Sequence, residues 1–359
     1  MSRLLRAPTD EPTHAPLVSV VVPTCNRAET AARCLEALAQ QTHRSYEVVV
    51  VDDCSADDTP AQLRRIADEH PDLRITLLRN EPQRGANPSR NRGVRASSGQ
   101  IICFIDDDAM ARPDWLECLA AAFDDPGTAG AVGLVEDPDP RNIFDLTFRG
   151  NQRIAVRPGP ALRLAGTNMA FRREVLERFT LDEDRAAAPQ RADGTPDLTV
   201  SGRGDEEGLF VMMRAAGMHV EAVPGAVVLH EDFYSGRSFF RQAWKGGTAA
   251  ARFVYKFRLP PRLDVSPFVL AYLTLPLVLI DWRLLIVPML FFAAAIGAIT
   301  YNDLVRKGKT VWQTLITFPI LLAYYHVRVL GYVTQTLRLW LGVQRIERVD
   351  LRDIARAIP

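Results

Sequence analysis

The chain has 359 residues, in which 43 Lys+Arg balance 43 Asp+Glu, so no global basic excess points to a nucleic acid polymer as partner. Its five cysteines, Cys25, Cys34, Cys54, Cys103 and Cys118, are odd in number and form no CxxC pair. They fit reduced, mostly buried thiols of a cytosolic domain and speak against a disulfide framework.

Met1 to Pro16 is polar, carries Pro8, Pro12 and Pro16, and lacks the apolar core of a signal peptide, so it is expected to be a loose tail. Leu17 to Val22 is an apolar, β-branched run ended by Pro23 and predicts a buried strand. Ala28 to Gln41 has helical spacing, with Ala31, Leu35 and Leu38 on one face. Glu47 to Val51 predicts a second strand running into Asp52-Asp53. Thr59 to His70 is helical, with Pro60 in its first turn. Ile75 to Leu78 predicts a third strand, Ser89 to Ser97 a helix stopped near Gly99, and Ile101 to Ile105 a fourth strand running into Asp106-Asp107-Asp108. Pro113 to Phe123 follows as a helix and Ala129 to Val135 as a strand.

This alternation predicts an α/β fold: a mostly parallel sheet sandwiched by helices, with ligands held beyond the carboxyl ends of the strands. Three of those ends, Pro23-Thr24, Asp52-Asp53 and the acidic triplet, imply a nucleotide-type crevice lined with carboxylates. No GxGxxG follows the first strand and no GxxxxGK[ST] is present, which argues against a dinucleotide dehydrogenase and a P-loop NTPase. Residues 182–204 are polar and rich in Gly, Pro and Asp and predict a mobile loop. Val220 to His230 reads as a short strand pair around Pro224-Gly225.

Beyond residue 260 the character changes. Pro267 to Ile280 and Leu284 to Thr300 are apolar runs separated by Asp281-Trp282-Arg283, and a third run, Val311 to Tyr325, ends at His326 and Arg328. A spanning helix needs roughly 20 apolar residues, so the first two runs either just cross or form a re-entrant hairpin with Asp281 and Arg283 at its tip. Arg252, Lys256, Arg258 and Arg262 precede them and Arg306, Lys307 and Lys309 follow, which puts both flanks on the cytosolic side. The third run reads as interfacial, since Arg328, Arg338, Arg345 and Arg348 follow it. A buried, soluble helical hairpin is the alternative. The expected organisation is a flexible tail (1–16), a catalytic domain (17–235), an interfacial linker (236–264), membrane-associated helices (265–335) and a basic cytosolic tail (336–359). The expected location is the cell membrane, with the catalytic domain cytoplasmic.

The triplet is the sharpest chemical signal. A diphosphate cannot sit beside three carboxylates unless a cation bridges them, and hard oxygen ligands favour Mg²⁺ or Mn²⁺. The competing reading is a solvated acidic turn.

Six stretches in order now resemble the family 2 glycosyltransferases with the A-type nucleotide-sugar fold: SVVVPTCNR at 19–27, VVVDDCSADDT at 49–59, NEPQRGANPSRNRG at 80–93, FIDDDAMARPDWL at 104–116, GTNMAFRR at 166–173 and PGAVVLH at 224–230. The resemblance covers about Val18 to His230. It implies an inverting, metal-dependent transfer of a sugar from a nucleotide-diphosphate donor to a lipid-linked or glycan acceptor at the membrane. It implies that Asp53, with Pro23, Thr24 and Arg27, meets the donor nucleotide. Arg90 would pair with the donor, Asp106 and Asp107 would contact ribose and diphosphate, and Asp108 with His230 would hold the metal. Gly166 and Asn168 would lie on the acceptor side. The family's EDxDL element appears as Asp205-Glu206-Glu207-Gly208-Leu209, with its acids reversed, and the RAAG at 214–217 sets a register that makes Glu206 the base and leaves Asp205 as the alternative. Cys25 stands where many relatives carry an aromatic residue. Arg241, Gln242 and Trp244 do not keep the QxxRW spacing of processive members, so transfer of one or a few sugars is expected, with Arg241 and Trp244 toward the acceptor. Two further readings are open: a catalytically silent, membrane-bound sugar-nucleotide binder in a glycan-assembly complex, and a nucleotidyltransferase, which PTCNRAET does not suit.

Overall fold

The computed structural model describes residues 17–150, 159–161, 164, 166–183, 205–260 and 266–356. The tail before residue 17 and nearly all of the loop expected at 182–204 lie outside the described residues.

Continuous apolar runs become the strands that are buried on both faces, because a parallel strand covered by helices on either side has no polar face to show. These are β1 (Val18–Thr24), β2 (Tyr46–Asp52) and β4 (Ile101–Ile105), each fully buried, with the less buried β3 (Ile75–Arg79) at the edge. The order β3-β2-β1-β4 is parallel throughout. Beyond β4 the sheet turns mixed. β8 (Asn168–Arg172) runs antiparallel to β4 and to β6 (Thr128–Glu136), which pairs in parallel with β9 (His219–His230). The three-residue β5 (Ala109–Ala111) and β7 (Gly159–Pro160) both pair antiparallel with β9.

The strand pair expected around Pro224-Gly225 is a single strand with a bulge. Its register with β6 jumps between Gly133 opposite Val223 and Leu134 opposite Val227. Gly133 permits this, since a Cβ there would lie 2.3 Å from the carbonyl oxygen of Ala226 and 2.4 Å from the Asn168 amide. Helices α1 (Ala28–Ala39), α2 (Thr59–Glu69), α3 (Ala86–Ala96), α4 (Trp115–Ala121), α5 (Ile143–Phe148) and α6 (Arg173–Arg178) fill the connections, and α7 (Asp205–Ala215) precedes β9. Leu35 and Leu38 of α1, Leu63 and Ile66 of α2, and Trp115 and Leu116 of α4 join the strand valines in one core. Each such side chain contributes about 1.5–3 kcal/mol by leaving water.

After β9 the chain forms α8 (Gly236–Lys256), then the apolar α9 (Ser266–Thr274), α10 (Ile286–Tyr301) and the 30-residue α11 (Val311–Trp340). The third apolar run does not stop at His326: the helix continues because its second half packs along α8. Backbones touch there, and a Cβ on Gly247 would sit 2.0 Å from the Arg328 carbonyl oxygen. Phe148 meets Phe239 and Tyr324 edge to face, and Phe239 meets Tyr324 at a tilt, across α5, α8 and α11. At the end of α10 the buried carboxylate of Asp303 pairs with Lys307 and Lys309 at 2.8 Å each, and Lys309 Nζ also donates to the carbonyl of Thr147 in α5. A buried charge cluster is tolerated only when so paired, and this one ties the apolar helices to the α/β domain. Two stretches, Trp282–Val305 and Val311–Trp340, are long and apolar enough to cross a membrane. Leu273, Leu279, Ile280, Trp282, Leu290, Leu315 and Trp340 all face outward. Within the C-terminal stretch, α12 (Leu351–Arg356) packs on α7, and Ile354 reaches the main core.

Candidate active site

Two strand ends make the acidic centre. β4 delivers Asp106-Asp107-Asp108 at its carboxyl end. The short β5 that follows pairs Ala109 with His230, the last residue of β9, so residues 121 positions apart meet. His230 Nε2 lies 3.0 Å from Asp108 Oδ1. Ligand atoms of Asp106, Asp108 and His230 all fall within 4.8 Å of one another. Two carboxylates and one imidazole at that spacing suit a single hard divalent cation with ligand bonds of roughly 2.1 Å. The sequence signal for β5 was too short to read, yet β5 is what brings His230 to the triplet.

Each acid is engaged. Arg27 Nη1 contacts Asp108 and lies 3.5 Å from Asp107 Oδ1. Thr24 Oγ1 donates to Asp107 Oδ2 at 2.6 Å. Asp106 accepts from Arg90 Nη2 at 2.5 Å and from Thr167 Oγ1 at 2.6 Å. Burial pushes the Asp107 carboxyl up to about 7 against the pull of Arg27, and the charges of Asp108 and Asp106 add to the rise. Burial acts the same way on Asp108, but its hydrogen bond to His230 and the charges of His230 and Arg27 outweigh it and hold the carboxyl well below the usual carboxylate range. Burial lowers the His230 imidazole, and the hydrogen bond and charge of Asp108 override this and raise it to about 9.

One wall of the crevice comes from the β3–α3 connection. Asp53 Oδ1 accepts from Asn80 Nδ2 and the Arg84 amide, both at 2.8 Å, and Oδ2 accepts from the Gly85 amide at 2.5 Å. Gly85, at φ +101°, opens α3 in a conformation that glycine adopts without strain. Asp53 therefore organises the loop that leads into α3, the helix that carries Arg90. Arg90 itself is buried and anchored by Asn87 Oδ1 at 3.0 Å, and its buried Nε has no hydrogen-bond partner. A buried guanidinium beside the acidic cluster is a fixed positive charge that suits an anion in the crevice.

Beside Arg90, a Cβ built on Gly166 would lie 3.5 Å from Arg90 Nη2 and 3.6 Å from the Glu206 carboxyl carbon. Gly166, Arg90 and Glu206 thus share one wall of the crevice. Asp205 begins α7, and its side chain lies outside the described residues. Asn168 lies at the start of β8. It is fully buried, accepting from Trp115 Nε1 at 2.8 Å and donating to the carbonyls of Leu134 and Ala226 at 2.9 Å. Buried polar groups spend their hydrogen bonds locally, and this amide joins β8, β6 and the β9 bulge. Arg241 and Trp244 lie on α8; Arg241 is exposed, and the Trp244 carbonyl packs against Gly331 of α11. Thr167, Asn80 and Asn87 were not singled out from the sequence, because short polar side chains between motif residues carry no periodic signal.

Residues 19–180 match the family described as Glycosyl transferase family 2. That stretch of the chain is similar to a family 2 glycosyltransferase domain. The succinoglycan biosynthesis protein ExoO of Rhizobium meliloti is 35% identical over 162 residues, covering 44% of either chain. An N-acetylglucosaminyltransferase of Bradyrhizobium diazoefficiens is 29% identical over 84% of this chain and 60% of its own length. The chain thus spans less than two thirds of these relatives. In fold it is similar to a mannosyltransferase of Pyrobaculum calidifontis solved with GDP-Man and Mn²⁺, with a TM-score of 0.54 and 23% identity over 91% of this chain and 88% of that one.

Cys25, in the opening loop of this domain, accepts from Gln83 Nε2 at 3.2 Å. Burial, then the charges of Asp53, Asp52 and Asp107, push its thiol up to about 11. A raised pKa leaves less thiolate at neutral pH, about 10²-fold less than a free cysteine for a rise of two units. Alkylation of Cys25 by iodoacetamide, followed by peptide mass spectrometry, is expected to be correspondingly slow at pH 7.5, to rise about tenfold per pH unit and to level off only near pH 11.

Proposed function

We propose that the protein transfers a sugar, with inversion and with a divalent cation (Mg²⁺ or Mn²⁺), from a nucleotide-diphosphate donor to a lipid-linked or other membrane-proximal acceptor. The observation that carries this reading is the meeting of Asp106, Asp108 and His230 in one crevice with Arg90 and Glu206. Arg90, whose Nη2 reaches Asp106, pairs with the donor diphosphate. Asp108 and His230, with Asp106 beside them, would hold the cation, which when bound offsets the charge building on the leaving diphosphate. Glu206 takes the proton from the acceptor hydroxyl. The freed oxygen pair forms the new bond to the anomeric carbon, and the old carbon–oxygen bond breaks with its electron pair leaving on the diphosphate. Attack opposite the leaving group inverts the anomeric centre.

The membrane side of the reading is supported by the outward Leu, Ile and Trp side chains of α9 to α11. Helix α9 and the turn after it hold 14 residues from Ser266 to Leu279, or about 20 Å of helix against a hydrocarbon core of about 30 Å. A re-entrant hairpin with the exposed Asp281-Trp282-Arg283 at its tip satisfies that mismatch. Along the second half of α11, Leu330, Val333, Leu337 and Trp340 make one outward stripe away from α8, which suits the interfacial plane. The protein is expected to stay with membranes through carbonate and high-salt washes and to need detergent for release; release by carbonate alone would contradict membrane seating. Label from a radioactive nucleotide sugar should enter an organic-phase lipid extract. Donor binding with neither transfer nor hydrolysis would favour the silent sugar-nucleotide-binding partner instead.

A further inference from the structure

Past α11 the chain turns at Gly342 (φ +71°) and runs back to the α/β domain as a strap. Ile346 is buried against Leu339 and Tyr255. The Arg348 guanidinium lies 4.1 Å over the Tyr255 ring, and the Val349 amide donates to the Lys256 carbonyl at 2.9 Å. α12 then seats on α7, the helix that carries Glu206. The strap therefore grips Lys256, the last residue of α8, by its backbone.

The side chain of Lys256 points the other way, into the donor site's supporting structure. Its Nζ lies 2.7 Å from Asp182 Oδ2, with Lys256 and Asp182 side chains only 15% and 19% exposed. Shielded to that degree, an ion pair is screened far less than a surface pair. The Asp182 carbonyl accepts from Asn87 Nδ2 at 3.0 Å. Asn87 Oδ1 in turn accepts from Arg90 Nη1 at 3.0 Å, and Arg90 Nη2 reaches Asp106. The neighbouring Asn91 Nδ2 donates to the Leu181 carbonyl at 2.8 Å, so 181–183 lies along α3 by more than one bond. An unbroken chain of contacts joins the C-terminal strap to the donor-facing arginine.

We propose that Lys256 and Asp182 are positioning residues for Arg90, acting through Asn87, with the strap holding Lys256 in register. This rests on the reading of Arg90 as the donor-diphosphate ligand. A guanidinium displaced by even 1 Å gives up much of its contribution, so loss of the pair is felt in donor recognition while Glu206 is untouched. The alternative is a staple that holds 181–183 against α8 and affects only stability.

The test uses the full chain in detergent or membranes, with Lys256→Met, Asp182→Asn and the conservative Lys256→Arg. Donor kinetics use whichever of a panel of UDP-, GDP- and dTDP-linked sugars supports turnover. Hydrogen exchange of the α3 amides is read without ligand. Lys256→Met and Asp182→Asn are each expected to raise donor KM about tenfold, to leave kcat and acceptor KM within about twofold, and to speed exchange in residues 86–96. Lys256→Arg should restore donor KM. Ile354→Asp, which loosens the strap without touching the chain of contacts, should move α3 exchange in the same direction. Unchanged α3 exchange in Lys256→Met overturns the proposal, as does unchanged donor KM accompanied only by a lower melting temperature. Absence of turnover in the wild-type chain with every donor would count against the glycosyltransferase reading, and the exchange measurement would still decide the positioning chain.

Discussion

Asp108→Asn is expected to lower sugar transfer by about 10²–10³-fold, the range for removing one group that stabilises charge in the transition state. Asparagine keeps the shape and one acceptor oxygen but withdraws the negative charge that His230 and Arg27 share at this position. Chelation of the wild-type protein should give a loss of the same order, reversed by Mg²⁺ or Mn²⁺, and Asp108→Asn should gain little from either ion. Circular dichroism should show an intact fold, because Asp108 sits in a connection beyond β4 and not inside the strand packing. Full activity of the wild-type protein in chelator would remove the cation from the account.

The second large effect belongs to the base. Glu206→Gln is expected to lose transfer by at least about 10²-fold, the low end for general base catalysis, while cation and nucleotide binding persist. Glu206 shares a wall of the crevice with Gly166 and Arg90. Asp205 is its neighbour at the start of α7, where a carboxylate also gains from the helix dipole. Asp205→Asn should therefore cost less. A dead Asp205→Asn beside a nearly normal Glu206→Gln would move the base by one residue.

The parallel half of the sheet was legible in the chain because β1, β2 and β4 are buried on both faces, so their sequences are unbroken apolar runs that end in polar residues at the crevice. The acidic triplet followed directly from that. What local pattern could not supply was long-range pairing. Pro224-Gly225 reads as a turn between two strands, yet Gly133 leaves room for a bulge and β9 continues to His230. His326 and Arg328 read as the end of an apolar run, yet the glycines of α8 let α11 continue beside it. Asn168 stands in a stretch resembling an acceptor loop, but its amide is consumed by three buried partners. Asp53 was expected to meet a nucleobase, and much of its hydrogen-bonding capacity goes to the loop ahead of α3. The C-terminal strap has a basic, tail-like composition, and only its contacts with Tyr255, Lys256 and α7 show that it docks.

The central claim is cation-dependent sugar transfer from a nucleotide-diphosphate donor at the Asp106–Asp108–His230 crevice. It is tested most directly by incubating membranes that contain the full chain with a panel of labelled nucleotide-diphosphate sugars and membrane lipids, with Mn²⁺ or with chelator, and separating product from donor. The account predicts that at least one donor is consumed and its sugar transferred with Mn²⁺, and that chelator, Asp108→Asn and Glu206→Gln each suppress this. Equal turnover with and without the cation, or turnover that survives both substitutions, would contradict it.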